Sequence, residues 1–229
     1  LTQAGFRVLR YDLFGRGFSD RPHVDYNLDL FVNQLTNLLD ALRITQPVNL
    51  IGLSMGGLIA SAFTVRHPER VNKLVLIDPA GAKSIALTPM LKAAKIPFVA
   101  EAVLGLVGGE ALVQSNARDF FFFFLVDHFS AQYGIQMQYK GFKRAILSTI
   151  RNGLLESFIH VFEALGKMDK PTLLFWGRND NTVPLEHSQL LCTAVPQIDF
   201  HIIEDCGHIP HYEKPDVVNP ILLDFLRRT

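Results

Sequence analysis

The sequence predicts an α/β fold: a mostly parallel sheet covered by helices on both faces, interrupted by a helical insertion. Three observations carry this. Short β-prone runs alternate with runs of helical period at both ends of the chain. The runs "LVLI" and "LLFW" are continuously apolar instead of alternating, as strands buried on both faces are. Between Gly81 and Met168 the strand rhythm stops while the apolar content stays high.

Taken in order, Phe6 to Asp12 is β-prone and leads into the glycine-punctuated loop "FGRGFSDRP", so a strand is expected there. Apolar residues at 28, 31, 35, 38, 39 and 42 mark one face of a helix. "VNLIG" at 48–52 reads as a strand, followed by a helix from Met55 to His67 that stops before Pro68. "VNKLVLI" ending at Ile77 is a strand. The alternation resumes with "TLLFW" at 172–176, a helix over 185–195, the strand "IDFHII" at 198–203 and a last helix ending near Arg228. Pro220 sits where that helix should be continuous, so a kink or a late start is expected.

The chain therefore divides into a first core part over 1–82, a helical cap insertion over 83–168 and a second core part over 169–229. Five consecutive phenylalanines at 120–124 lie in the insertion. Their plainer role is to bury it against the core; their functional one is to line an apolar substrate tunnel. A five-residue helical stretch spans more than one face, so both roles fit different members.

With 229 residues, 48% hydrophobic and 19% charged, the chain fits one domain with an insertion. Its 22 basic and 22 acidic residues cancel, which argues against a nucleic-acid surface or a polybasic membrane patch. Cys192 and Cys206 match no metal spacing and no disulfide framework, so a reducing, cytoplasmic setting is favoured. The most apolar run, from Ile96 to Val113, is broken by Glu101 and Glu110, and no membrane span is predicted. The sequence opens on Leu1, almost at once in a strand-like run, and is expected to continue further at its N-terminus.

The chemistry centres on "NLIGLSMGGLIA", Asn49 to Ala60. Gly52 and Gly56 flank Ser54 at minus two and plus two, where a side chain is expected to clash as strand turns sharply into helix; Gly57 adds close approach. The turn puts the backbone N–H of Met55 at a helix N-terminus, able to donate to a developing oxyanion. A serine hydroxyl is a poor nucleophile without a histidine to take its proton and a carboxylate to hold that histidine. In parallel sheets such side chains gather beyond the carboxyl ends of strands. Asp180 follows "TLLFWG" and His208 follows "IDFHIIE", so both share an edge with Ser54, in the chain order Ser, Asp, His. Asp78, at the end of "VLID", is the second candidate for the acid, and His211 the second for the base.

Four segments resemble the α/β-hydrolase family, in its serine-hydrolase branch of carboxylesterases and lipases. "DLFGRGFSD" is similar to the loop after the family's fourth strand and "GLSMGG" to its nucleophile elbow. "WGRNDNTVP" resembles the acid loop, with Asp180 in the acid position, and "CGHIPHYEKP" the histidine loop, with His208 in place. The resemblance implies a serine hydrolase acting through an acyl-enzyme on Ser54. The substrate it implies is a small-molecule carboxylic ester with an apolar acyl group, and neither metal nor cofactor is needed. The alternatives are hydrolysis of a carbon–carbon bond in ring-cleavage products with the same triad, and a non-catalytic relative that only binds. In the family a loop after the third strand supplies the other oxyanion donor. The first strand here corresponds to the family's fourth, so Met55 is expected to act alone, and the strand at 6–12 to leave a vacant slot beside 48–52 or to pair with it.

Overall fold

The computed structural model describes residues 1–85, 96, 119–121 and 126–228. Its sheet has four strands: β1 (Val48–Leu53), β2 (Val71–Ile77), β3 (Thr172–Gly177) and β4 (Asp199–Ile203), in the order β1-β2-β3-β4 and all parallel. Registers such as Leu53 opposite Ile77, Ile77 opposite Phe175 and Gly177 opposite Ile203 bring the carboxyl ends to one edge.

Alternate residues of the central strands feed two different cores, which is why those strands are apolar throughout. Leu74, Leu76, Leu174 and Trp176 pack on one face against Phe162, Leu165, Leu191 and Val195. Val75, Ile77, Leu173 and Phe175 pack on the other against Val218, Leu222, Phe225 and Leu226. The first face carries α2 (Met55–Arg66), α5 (Ile159–Gly166) and α6 (Glu186–Ala194); the second carries α8 (Pro215–Arg227). Helix α1 (Leu28–Ala41) is capped by Asn27, whose side chain accepts from the Leu30 N–H, and it buries Phe31, Leu35 and Leu39 beside Leu58, Ile59 and Phe63 of α2. Between β2 and β3 the described residues form only α3 (Val126–Met137), α4 (Phe142–Arg151) and α5.

Two expectations are corrected. The run at 6–12 is not a strand. Among the described residues no backbone-to-backbone hydrogen bond joins 7–12 to another segment, and the Asp12 carbonyl accepts instead from the side chains of Gln34 and Ser19. Composition makes a run β-prone, but a ladder needs a partner. Here Phe6 is drawn into the α8-side core and Tyr11 into the α1–α2 core, while Val8 and Leu9 stay 40% and 47% exposed. β1 is consequently an edge strand, with Ile51 40% exposed. Of the two outcomes expected for the last helix the late start is not found: it runs from Pro215 with Pro220 inside it. Pro220 is the sixth residue, past the first turn whose N–H groups lack a partner, so it forfeits the bond its N–H would have given to the Asp216 carbonyl.

At the far end of the same helix, Lys73 of β2 is buried, and its Nζ donates to the carbonyls of Phe225 at 2.8 Å, Leu226 at 3.2 Å and Arg228. These are orphan acceptors of the last turn, and an ammonium is a favourable partner for them. A short helix, α7 (Pro210–Glu213), precedes α8. Of the phenylalanine run, Phe120 is buried and meets Phe129 and Tyr212 edge-on, whereas Phe121 is 38% exposed; residues 122–124 lie outside the described residues.

Candidate active site

Ser54 stands between β1 and α2 with φ 53° and ψ −122°, a conformation that non-glycine residues adopt only under constraint. The constraint is visible. Its N–H donates to Ile77 O at 2.9 Å, and its carbonyl accepts from Gly57 N–H at 2.9 Å and Ala80 N–H at 3.1 Å, fastening the turn to the end of β2. Met55 and Gly56 open α2, so their N–H groups have no carbonyl a turn earlier in the helix to bind.

The glycines divide differently from the expectation. A Cβ on Gly52 would lie 2.6 Å from Gly57 N and overlap the Gly56 carbonyl, and one on Gly57 would lie 2.7 Å from Pro79 Cβ. Gly56 faces open space, with nothing within 4 Å of where its Cβ would be. The steric requirement at the turn therefore falls on Gly52 and Gly57, not on Gly56.

Asp180 and His208 are brought together. Asp180 Oδ1 accepts from the N–H groups of Thr182 at 2.7 Å and Val183 at 2.9 Å, and Oδ2 accepts from His208 Nδ1 at 2.7 Å. Both side chains are buried. With Nδ1 donating to a carboxylate, Nε2 keeps the lone pair and is free to act as a base. The His208 N–H donates to Asp119 O at 2.7 Å, which orients the loop from the side of the insertion. Ser54 shares this sheet edge, although no hydrogen bond joins its hydroxyl to His208 among the described residues. His211 is exposed at its surface and makes no hydrogen bond to Asp180 or His208 among the described residues, but burial of its ring and then the neighbouring His208 lower its imidazole below the ordinary value.

Three carboxyl groups surround the pair. Asp78 is fully buried, and its Oδ1 accepts from Gly177 N–H at 2.8 Å. Burial, then the nearby Asp180 charge, holds its carboxyl well above the usual carboxylate range. Asp78, Asp180 and His208 each have an oxygen or nitrogen within 4.8 Å of the others. The His208–Asp180 separation is that of a hydrogen bond, so the cluster reads as a proton-bearing network. Glu213 is buried on α7, where Oε1 accepts from Gly207 N–H at 2.8 Å and Oε2 from Phe121 N–H at 2.7 Å, tying the histidine loop to the insertion. Asp119 accepts from the Thr182 hydroxyl, and burial raises its carboxyl above the ordinary value. Burial, followed by the nearby Glu213 carboxylate, pushes the Cys206 thiol up, leaving it inert at neutral pH.

Sequence reasoning missed Asp119 and Glu213. Glu213 had a signal, because it is the one acidic residue inside "CGHIPHYEKP" and five residues past His208 it falls on the next helix. Asp119 had none: it stands next to the phenylalanine run, outside the four segments that carry the resemblance.

A model of the alpha/beta hydrolase family matches residues 1–221. The chain belongs to the alpha/beta hydrolase family. It is 32% identical over 240 residues to a Klebsiella pneumoniae 2-hydroxy-6-oxononadienedioate/2-hydroxy-6-oxononatrienedioate hydrolase, covering 100% of this chain and 79% of the relative. It is 31% identical over 237 residues to a Comamonas testosteroni 2-hydroxy-6-oxo-6-phenylhexa-2,4-dienoate hydrolase, covering 99% and 79%. A meta-cleavage product hydrolase from Pseudomonas fluorescens IP01, solved with acetates, superposes with a TM-score of 0.76 at 26% identity, over 94% of this chain and 77% of that one. A bromoperoxidase from Bacillus anthracis reaches a TM-score of 0.82 at 23% identity, over 99% of this chain and 83% of that one, and shows the fold alone.

Proposed function

We propose that the protein hydrolyses a carbon–carbon bond in a 2-hydroxy-6-oxo-dienoate, with Ser54 as nucleophile, His208 as base and Asp180 as its partner. The observation that carries the reading is the buried 2.7 Å pair between His208 Nδ1 and Asp180 Oδ2, at the edge where Ser54 heads α2. The relatives' names choose the bond: they favour the carbon–carbon alternative over the carboxylic ester that the sequence placed first.

In this reading His208 Nε2 takes the Ser54 proton as Oγ attacks the 6-oxo carbon, and the Met55 N–H donates to the resulting oxyanion. The bond from that carbon to its chain neighbour breaks, and a carbon leaving group departs only if its electron pair is delocalised. The chain supplies that delocalisation once its 2-hydroxyl has ketonised, with a proton lost from that oxygen and one gained by the carbon beside the 6-oxo group. The departing pair then passes through the neighbouring C=C into the 2-oxo group, and the proton from His208 on that enolate oxygen completes the released 2-hydroxydienoate. Water, deprotonated by His208, then frees the acyl group from Ser54. Asp180 remains ionised and stabilises the imidazolium at each stage. Helices α3 and α4 belong to the cap expected over 83–168, and of the described members of the phenylalanine run Phe121 is the one exposed enough to meet a substrate.

The test compares initial rates on 2-hydroxy-6-oxo-6-phenylhexa-2,4-dienoate with those on a panel of p-nitrophenyl acyl esters, together with fluorophosphonate labelling of the protein and of Ser54→Ala. The expected result is a kcat/KM at least 100-fold higher on the dienoate and labelling abolished by the substitution. A higher value on the esters returns the carboxylesterase reading. Equal labelling of both proteins removes Ser54 as nucleophile, and labelling of neither leaves the non-catalytic binding reading.

A further inference from the structure

Asp78 is not needed as the acid, because Asp180 already holds His208, yet it is fully buried within the same cluster. One of its oxygens is accounted for: Oδ1 accepts from Gly177 N–H at 2.8 Å. The other, Oδ2, is buried and as a carboxylate has no hydrogen-bond partner among the described residues. A buried unpartnered charged oxygen is among the costliest arrangements a fold can hold. The charged groups facing Asp78 make an ionised state worse, since they are the carboxylates of Asp180 beyond β3 and Glu213 on α7. The other titratable neighbours, His208 and Cys206 in the loop after β4, bring no fixed positive charge. A proton on Oδ2 removes both costs at once, converting the orphan acceptor into a donor directed at a neighbour that can only accept.

We infer that Asp78 is a positioning residue that carries a proton in the working enzyme and donates it, as a hydrogen bond from Oδ2, to the carboxylate of Asp180. The inference rests on the proposed Ser54–His208–Asp180 arrangement. Asp180 then receives four hydrogen bonds: two backbone N–H groups, the imidazole and the Asp78 carboxyl. The fourth drains charge from the acid and limits how strongly it retains a proton on His208. It also locks Asp180 from β2 in addition to its own loop, so that two strands fix one carboxylate. The left-handed φ of 41° at Asp78 is one that aspartate and asparagine tolerate best, so asparagine is the neutral probe of the site.

The sign of the stability effect follows from the raised value of the folded state. Above about pH 4 the unfolded chain has released this proton while the folded chain keeps it. The contribution is therefore complete below about pH 4 and is lost as pH rises toward the folded value. Urea unfolding of the protein and of Asp78→Asn across this range should show the ratio of their unfolding constants, wild type over variant, rising roughly tenfold per pH unit. A ratio that does not change with pH means Asp78 is ionised when folded and overturns the inference. The second measurement is the pH dependence of fluorophosphonate labelling. Asp78→Asn should keep the acid limb within about 0.3 pH unit, because charge and donor are both retained, whereas Asp78→Ala should move it to higher pH by roughly one unit as Asp180 regains its charge. An Asp78→Asn limb displaced downward, or an Asp78→Ala limb that coincides with wild type, refutes the donor role. Failure of the proposed function looks different, since wild type and Ser54→Ala would then label alike at every pH while the unfolding comparison would still report on the proton.

Discussion

β1 and β3 are both six-residue parallel strands that deliver a site residue beyond their carboxyl ends, and they live in opposite surroundings. Every residue of β3 is buried between β2 and β4, whereas β1 has β2 on one side, no strand on the other among the described residues, and only Gly52 fully buried. The same kind of sequence, a largely apolar run with a glycine at or next to its carboxyl end, is thus enclosed in one place and half solvated in the other. Its neighbours in the sheet, not its own composition, decide which. The candidate site inherits the asymmetry: the acid–base pair is set in the closed interior and the nucleophile on the open margin.

The sharpest way to test this contrast is through chemistry. Asp180→Asn should lower kcat by roughly 10⁴-fold, with its far-UV spectrum unchanged, because the carboxamide cannot compensate an imidazolium. A loss under tenfold would mean that Asp78 substitutes as the acid. Next in size is stability measured by urea denaturation. Leu174→Ala in β3 should cost about 2–5 kcal/mol, as for a fully buried leucine, while Ile51→Ala on the open face of β1 should cost less than about 1 kcal/mol. Equal costs would mean that β1 is covered in solution. The smallest effect separates the two glycines of the elbow. Gly56→Ala should leave Tm unchanged or raise it by a few degrees, since alanine is the better helix former by up to about 1 kcal/mol and the space is open. Gly52→Ala should lower Tm and slow fluorophosphonate labelling, and comparable behaviour of the two would contradict the packing at the turn.

Much of this was readable in the chain because it depended on local signals. β2 and β3 were visible as continuous apolar runs, α1 as a 3.6-residue period, and Ser54, Asp180 and His208 as polar residues just past strand ends. Where the sequence misled, a distant partner made the decision. Residues 6–12 look like a strand and lack only something to pair with. Gly56 matched a motif, but the clash belongs to Gly57 because Pro79 folds back over it. The approach of Asp78 to the acid loop links positions 99 residues apart through its bond to Gly177, and no periodicity encodes such a distance.

The grip of Lys73 on the end of α8 has a consequence for how the molecule opens. Helix ends ordinarily fray, and their last amides exchange with solvent through small local openings. Here the final carbonyls are held by an ammonium that belongs to a central strand. The last turn cannot loosen without exposing that buried cation's tether, so its amides should exchange on the timescale of β2, and the two should be lost as a single cooperative unit when the protein unfolds.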